Sequence, residues 1–254
     1  MSDSRWNTAP RGYAGQAAAV DAGLRAYMLR VYNYMAAAVA LSGVSAWLTY
    51  QAAGGDAIRV AAGGITGLTP FGQTLFGPLM IVLALGTLGL VFFMSFRIQR
   101  LQASTAVVLF AVYAALLGVT LSPIFVTYTG ASITRVFFIS AASFGALSLY
   151  GYTTQRDLSP IGSFLIMGLF GIIIASLVNI FLKSTGLDWA ISVIGVGVFA
   201  GLTAYDTQRI KEMYDSMDDD GTLGRKAVMG ALSLYLDFIN LFLFLLRFLG
   251  NRRS

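Results

Sequence analysis

The chain contains no cysteine and no histidine, and of its twelve acidic residues only Glu212 is a glutamate. Without thiols there is no disulfide and no thiolate nucleophile. Without imidazole there is no His-based catalysis, no imidazole pH sensor, and no zinc or haem held by these ligands. Proton chemistry is left to aspartate, tyrosine, lysine and arginine. Charge of either sign is also scarce, at 11% of 254 residues, against roughly 25% in a soluble domain. With 57% of residues hydrophobic, the composition is that of an all-α integral membrane protein. The net charge of +5 is spread over loops and termini, a pattern of membrane topology rather than of nucleic-acid binding.

Residues 1–24 are small, polar and rich in Ala and Gly, and read as a mobile N-terminal arm rather than a signal peptide. Residues 25–250 form the transmembrane domain. Seven apolar segments lie near 29–52, 75–97, 104–126, 133–153, 161–182, 189–209 and 227–249. Each is close to the roughly 20 residues a helix needs to cross the hydrocarbon, and helices satisfy every backbone group there. No room remains for a separate soluble domain. With seven spans, an inside N-terminus gives that face eleven Lys and Arg and the other face six, which favours N-in. The basic tail, Arg247, Arg252 and Arg253, argues the other way. The long connection from Gln51 to Thr74, with Gly54, Gly55, Gly63, Gly64 and Pro70, reads as an irregular external loop. Elsewhere the connections are short, so successive helices are expected to pack as antiparallel neighbours.

Two acids stand inside apolar spans, Asp206 in the sixth and Asp237 in the seventh. An ionised aspartate in hydrocarbon costs about 3 kcal/mol even on lenient scales, so each is expected to face a partner, the bundle interior or water. Asp237 shares a helical face with Ser233 and Asn240. Asp206 has Arg209 one turn later. The depths disagree, because Asp206 lies about 5 Å from its span's edge and Asp237 about 15 Å from its own. If the carboxyls meet, they cannot both ionise cheaply and share a proton. Protonated, the pair latches two helices; deprotonated, it repels itself and offers oxygens to a hard cation such as Ca²⁺. Asp206 and Asp237 are therefore the candidate proton and metal ligands, with Ser233, Asn240 and Arg209 in support. Arg97 or Arg100, at the inner end of the second span, could supply a cation partner, although either also serves as a topology anchor.

Other patterns fail on inspection. The run Asp215, Asp218, Asp219, Asp220 is not a calcium loop, because counting back from Gly221 places Ser216 at the first ligand position and Ala227 at the twelfth. An intramembrane aspartyl protease would want Gly-x-Gly-Asp at the second acid, where this chain has Leu234-Tyr-Leu-Asp237. No enzymatic activity and no cofactor are expected.

At the acids the sequence becomes specific. Ala204-Tyr-Asp-Thr-Gln208, Ala231-Leu-Ser-Leu-Tyr-Leu-Asp-Phe-Ile-Asn-Leu-Phe242 and Leu246-Arg-Phe-Leu-Gly250 resemble the Bax inhibitor-1 family in its bacterial inner-membrane branch, and Gly118-Val-Thr-Leu-Ser-Pro-Ile-Phe125 fits the same family. The resemblance covers about Arg25 to Gly250. It implies seven helices, the last central and six around it. It also implies a pH-sensitive calcium leak controlled by an aspartate pair, here Asp206 and Asp237, with Ca²⁺ as the transported ion. An arginine ending the second helix would be the gating latch, and counting back from Gly118 favours Arg100 over Arg97. The second span lacks an acid that some relatives carry, and the loop between the two aspartates is long. The alternative reading is a non-conducting regulator that binds other membrane proteins, such as a membrane protease or a cell-death or stress factor. Its contact surface would be the N-terminal arm.

Overall fold

The computed structural model describes residues 11–61 and 64–253, with side chains from Val20 onward. The arm expected over residues 1–24 lies outside the described residues for its first ten positions. From Arg11 the chain is written into helix α1, Arg11–Ala53. A single 3₁₀ turn, Gly55–Ala57, leads into a small antiparallel hairpin of β1, Arg59–Ala61, and β2, Gly64–Thr66. The connection is thus more ordered than its glycines alone indicate. Thr69 closes it, its N–H and hydroxyl donating to the last carbonyls of α1 at Ala53 and Ala52.

Thr69 also caps α2, Pro70–Thr74, by accepting from Gly72 N–H, with Pro70 at the first helical position. A π turn at Leu75–Leu79, where Pro78 removes a donor, bends the chain into α3, Met80–Arg97. After a 3₁₀ turn at Ile98–Arg100 come α4, Ala103–Leu121, and a short α5, Ile124–Thr127, separated by Pro123. Then follow α6, Gly130–Thr153; α7, Ser159–Leu182; α8, Thr185–Glu212; and α9, Asp220–Leu249. Thr129, Ser184 and Asp219 side chains cap α6, α8 and α9.

Among the described residues, seven helical stretches are long and apolar enough to cross a membrane: Val20–Ala53, Pro70–Arg100, Ala103–Thr127, Gly130–Thr153, Ser159–Leu182, Thr185–Glu212 and Asp220–Leu249. The last is the axis of the bundle and the most buried. Ala227, Val228, Ala231, Leu234 and Tyr235 on it have no exposed surface. Helices α8, α1, α6 and α4 pack directly against it, while α3 leans on α4 and α7 on α8 as an outer layer. Phe96 on α3 and Phe181 on α7 present 80% and 85% of their surface outward, as lipid-facing residues do.

Short connections do not make every successive pair neighbours. Helices α6 and α7 barely touch, and α6 packs on α8 and α9 instead. The reason is its buried stripe of Ser132, Val136, Ser140, Phe144 and Ser148. The Ser148 hydroxyl and the Phe144 ring find partners on α1, α8 and α9, not on the predominantly apolar α7.

Candidate functional site

Position on a helix decides what Asp206 can face. Thr207, Gln208 and Lys211 follow it within a turn and a half, at angles that put all three on another side of α8. The structure uses each to bind α8 to α6 and the loop beyond it. The Thr207 hydroxyl pairs with Ser148 Oγ at 2.9 Å, and Ser148 pairs in turn with Tyr32 OH of α1 at 2.6 Å. Gln208 Oε1 accepts from Leu158 N–H at 2.8 Å, and its Nε2 donates to Arg156 O at 2.9 Å. Lys211 Nζ donates to Tyr152 O at 2.9 Å. Asp206 is left on the face turned toward α9.

The facing register is set by close packing between the two helices. A Cβ on Gly230 would meet Ile210, and one on Gly195 would meet the Phe244 ring, so these residues lie side by side. Counting antiparallel from Gly230 and Ile210 puts Asp206 level with Ser233 or Leu234, one turn short of Asp237. That offset is about 4.5 Å along the axis, within the span of two aspartate side chains, so the two carboxyls come within electrostatic reach of each other. The depth disagreement read from the sequence is resolved by helix length. Helix α8 continues past Arg209 to Glu212, and α9 starts at Asp220, two turns before its apolar run.

The environments of the two acids differ. Asp237 is 4% exposed, and its Oδ2 receives no N–H or hydroxyl donor. Asp206 is half-buried and lines a cavity of about 490 Å³ beside the α8–α9 turn. Ser95, Gln99, Arg209, Arg225, Lys226 and Ser233 are also in its wall. Lys226 is tied to Asp218 and to Met213 O, and Arg225 to the Thr222 hydroxyl. A carboxyl–carboxyl hydrogen bond exists only while one of the two holds a proton. Two such acids at the inner end of a cavity can therefore act as a one-proton clasp.

Of the supporting residues, Ser233 shares the cavity with Asp206. Arg209 lines it too, within electrostatic reach of Asp206. Asn240 instead donates to Leu236 O of its own helix at 2.8 Å. Arg97 and Arg100 are exposed at the end of the second span, and neither forms an ion pair with Asp206. Gln99, between them, reaches the cavity wall. Among the described residues no group of three or more His, Cys, Asp or Glu gathers to hold a metal. Asp206 and Asp237 with the Ser233 hydroxyl offer at most five side-chain oxygens, fewer than the six to eight of a full Ca²⁺ shell.

Sequence reasoning missed the hydroxyl chain Tyr32–Ser148–Thr207 and a second knot at the axis. There the Tyr235 hydroxyl meets Ser42 Oγ at 2.6 Å, and Ser42 lies 2.7 Å from Ala114 O. A signal was present in part: Ser132, Ser140 and Ser148 recur every eight residues along one inclined four-residue ridge of α6.

The sequence model of the family described as "Inhibitor of apoptosis-promoting Bax1" matches residues 24–254. A protein of Rickettsia prowazekii is 52% identical over 234 residues, covering 92% of this chain and 93% of its own length. Inner membrane protein YbhL of Escherichia coli is 48% identical over 234 residues, covering 91% and 94%. A protein of Caulobacter vibrioides is 44% identical over 254 residues, covering 96% and 98%. With seven membrane-spanning helices, the last at the centre, and a family match over nearly its whole length, the chain belongs to the Bax inhibitor-1 family of multi-pass membrane proteins.

Proposed function

We propose that this protein is a proton-sensitive cation leak of the bacterial inner membrane, passing Ca²⁺, with the Asp206–Asp237 pair as its gate. The observation that carries this reading is that the α8–α9 register brings the two carboxyls to within a turn of each other, one sealed in the bundle and the other at a cavity with polar groups in its wall. While a proton is shared, α8 and α9 are clasped and the path is shut. Losing it leaves two anions in contact, which drives the helices apart and presents oxygens to a cation. The sparse ligand set favours transit over storage, since a full coordination shell would hold the ion. The protein acts without enzymatic chemistry or a cofactor; its partners are the lipid bilayer, Ca²⁺ and protons.

The inner-membrane location is supported by the name of the E. coli relative. The surplus of Lys and Arg on the N-terminal side supports a cytoplasmic N-terminus and a cavity that opens toward the cytoplasm. Arg100 takes the latch role in this scheme by pairing with Asp206 in a state other than the one described.

The test is ion flux from calcium-loaded liposomes containing purified protein. A leak that rises with pH and is altered by Asp206→Asn supports conduction. No flux at any pH would defeat it and favour the non-conducting regulator of other membrane proteins. Removing residues 1–24 separates the two again, since a regulator acting through its arm loses its cellular effect while any flux survives.

A further inference from the structure

Helices α1 and α6 flank the axis but hardly touch, and the Tyr32–Ser148 hydrogen bond is the polar contact that joins them. Across that bond lies a groove of about 620 Å³, walled by Met28, Leu29, Phe144 and Leu149, with Tyr32 and Ser148 in its floor. Both walls are membrane spans, so the groove opens sideways into the bilayer rather than into water. Its concavity comes from small residues. Gly145 has nothing within 4 Å of where a Cβ would stand, and Ser148 is drawn inward by its two hydroxyl partners. From Phe144 to Tyr152 the groove runs about 12 Å along α6.

One end differs from the rest. Arg25 stands on the wall there, and Tyr152 closes it beneath Lys211, whose ammonium lies 5.6 Å from the Tyr152 ring centre. This is the C-terminal end of α6 and the beginning of the Val20–Ala53 span of α1, so it lies toward the membrane boundary, where phosphates are. An apolar trough leading inward from two cations matches an anionic phospholipid, with chain in the trough and phosphate at its mouth. Hydrocarbon against hydrocarbon gains nothing from water, so the trough only fixes where the chain lies. Selection must come from the cations, at about 1 kcal/mol each.

We propose that the α1–α6 groove is a binding site for one anionic phospholipid, its phosphate held by Arg25 and Lys211 and one acyl chain lying against Phe144 and Gly145. A chain seated there covers the Tyr32–Ser148 bond and props α1 against α6. The proposal is independent of ion conduction.

The test uses the full chain in detergent micelles with phosphatidylglycerol or phosphatidylethanolamine added, read by native mass spectrometry and by the unfolding midpoint. Wild type is expected to retain phosphatidylglycerol about 25-fold better than phosphatidylethanolamine, with a matching rise in Tm. Arg25→Gln, an exposed change that leaves the packing alone, cuts that preference about fivefold while still retaining lipid. Gly145→Leu fills the trough and reduces retention of both lipids. Equal retention of the two lipids by wild type, or an Arg25→Gln protein with its preference intact, would overturn the proposal. So would a dimer that Gly145→Leu dissolves, because the groove would then seat a second copy of the chain.

Discussion

Replacing Asp237 by asparagine separates the charge of the acid pair from its shape. The amide is nearly isosteric with the carboxylic acid and donates permanently, so it can bond the Asp206 carboxylate without any borrowed proton. In the native pair, full deprotonation sets two unit charges in contact. At about 4 Å and an effective dielectric constant near 20 this repulsion is about 4 kcal/mol, or roughly a thousandfold in an open–closed equilibrium. That is the largest pH response the pair can impose. Asp237→Asn removes it, so calcium flux from loaded liposomes should be low and flat across the range in which wild type climbs. Asp206→Asn should do the same, and the double variant should be no flatter than either, because one interaction is being deleted in all three. An Asp237→Asn protein that keeps the wild-type rise with pH would refute the reasoning and move the sensor elsewhere.

Three further outcomes follow from the packing and capping around the site. Tyr235 is fully buried and its hydroxyl donates to Ser42, whose own proton goes to a carbonyl; Ser42→Ala orphans that donor and should cost about 1–3 kcal/mol in detergent unfolding, against about 1 kcal/mol for Tyr235→Phe. Equal losses would show that the hydroxyl has another partner. A Cβ on Gly151 would strike the backbone carbonyl of Ala204, so Gly151→Val should displace α8 from α6 and lower the unfolding midpoint by several degrees, whereas Gly145→Ala, facing open space, should leave it unchanged. Finally, the Asp219 cap carboxyl is held below the usual range by the Thr222 hydroxyl, aided by the backbone N–H groups of Thr222 and Gly221. Its stabilisation is therefore present above the ordinary carboxylate range and lost as pH falls through the lowered value, so Asp219→Ala should lower the midpoint at neutral pH and have no effect in acid.

The spans were legible because bilayer thickness and backbone satisfaction leave few solutions for seven apolar runs. Their ends were less so, as they are set by single side chains. The second span starts at Pro70 because Thr69 caps it, and the last at Asp220 because Asp219 does; the acidic run that fails as a calcium loop contains that cap. The acids stood out as charges in hydrocarbon, but their contact depends on a register fixed by Gly230 against Ile210 and Gly195 against Phe244. Hydrophobic patterning cannot supply such a register. The hydroxyl chain from Tyr32 to Thr207 escaped notice because Ser and Thr are unremarkable in a membrane helix, where each can bond a carbonyl one turn back. Thr207 does that as well, to Thr203 O, which is why spacing alone could not reveal its second partner on α6.

The two ends of the α8–α9 pair are held differently, and this bears on where a charged clasp would part. At the far end Arg247 of α9 is paired with Asp188 of α8. Beyond it the tail is stitched to the α5–α6 turn, with Asn251 N–H on Ser132 Oγ at 2.9 Å and Arg253 N–H on Thr127 O at 2.9 Å. Arg253 also donates to Tyr50 OH at 3.0 Å. At the near end the wall beside Asp206 is a cavity rather than packed side chains. Meanwhile Thr207, Gln208 and Lys211 hold α8 to α6 and its loop. Repulsion between Asp206 and Asp237 therefore acts on a helix pair pinned at one end, with α8 braced from behind. In the proposed gate the yielding direction is therefore α9 with its near half moving toward the cavity, on whose wall Ser233 and Asp206 already stand.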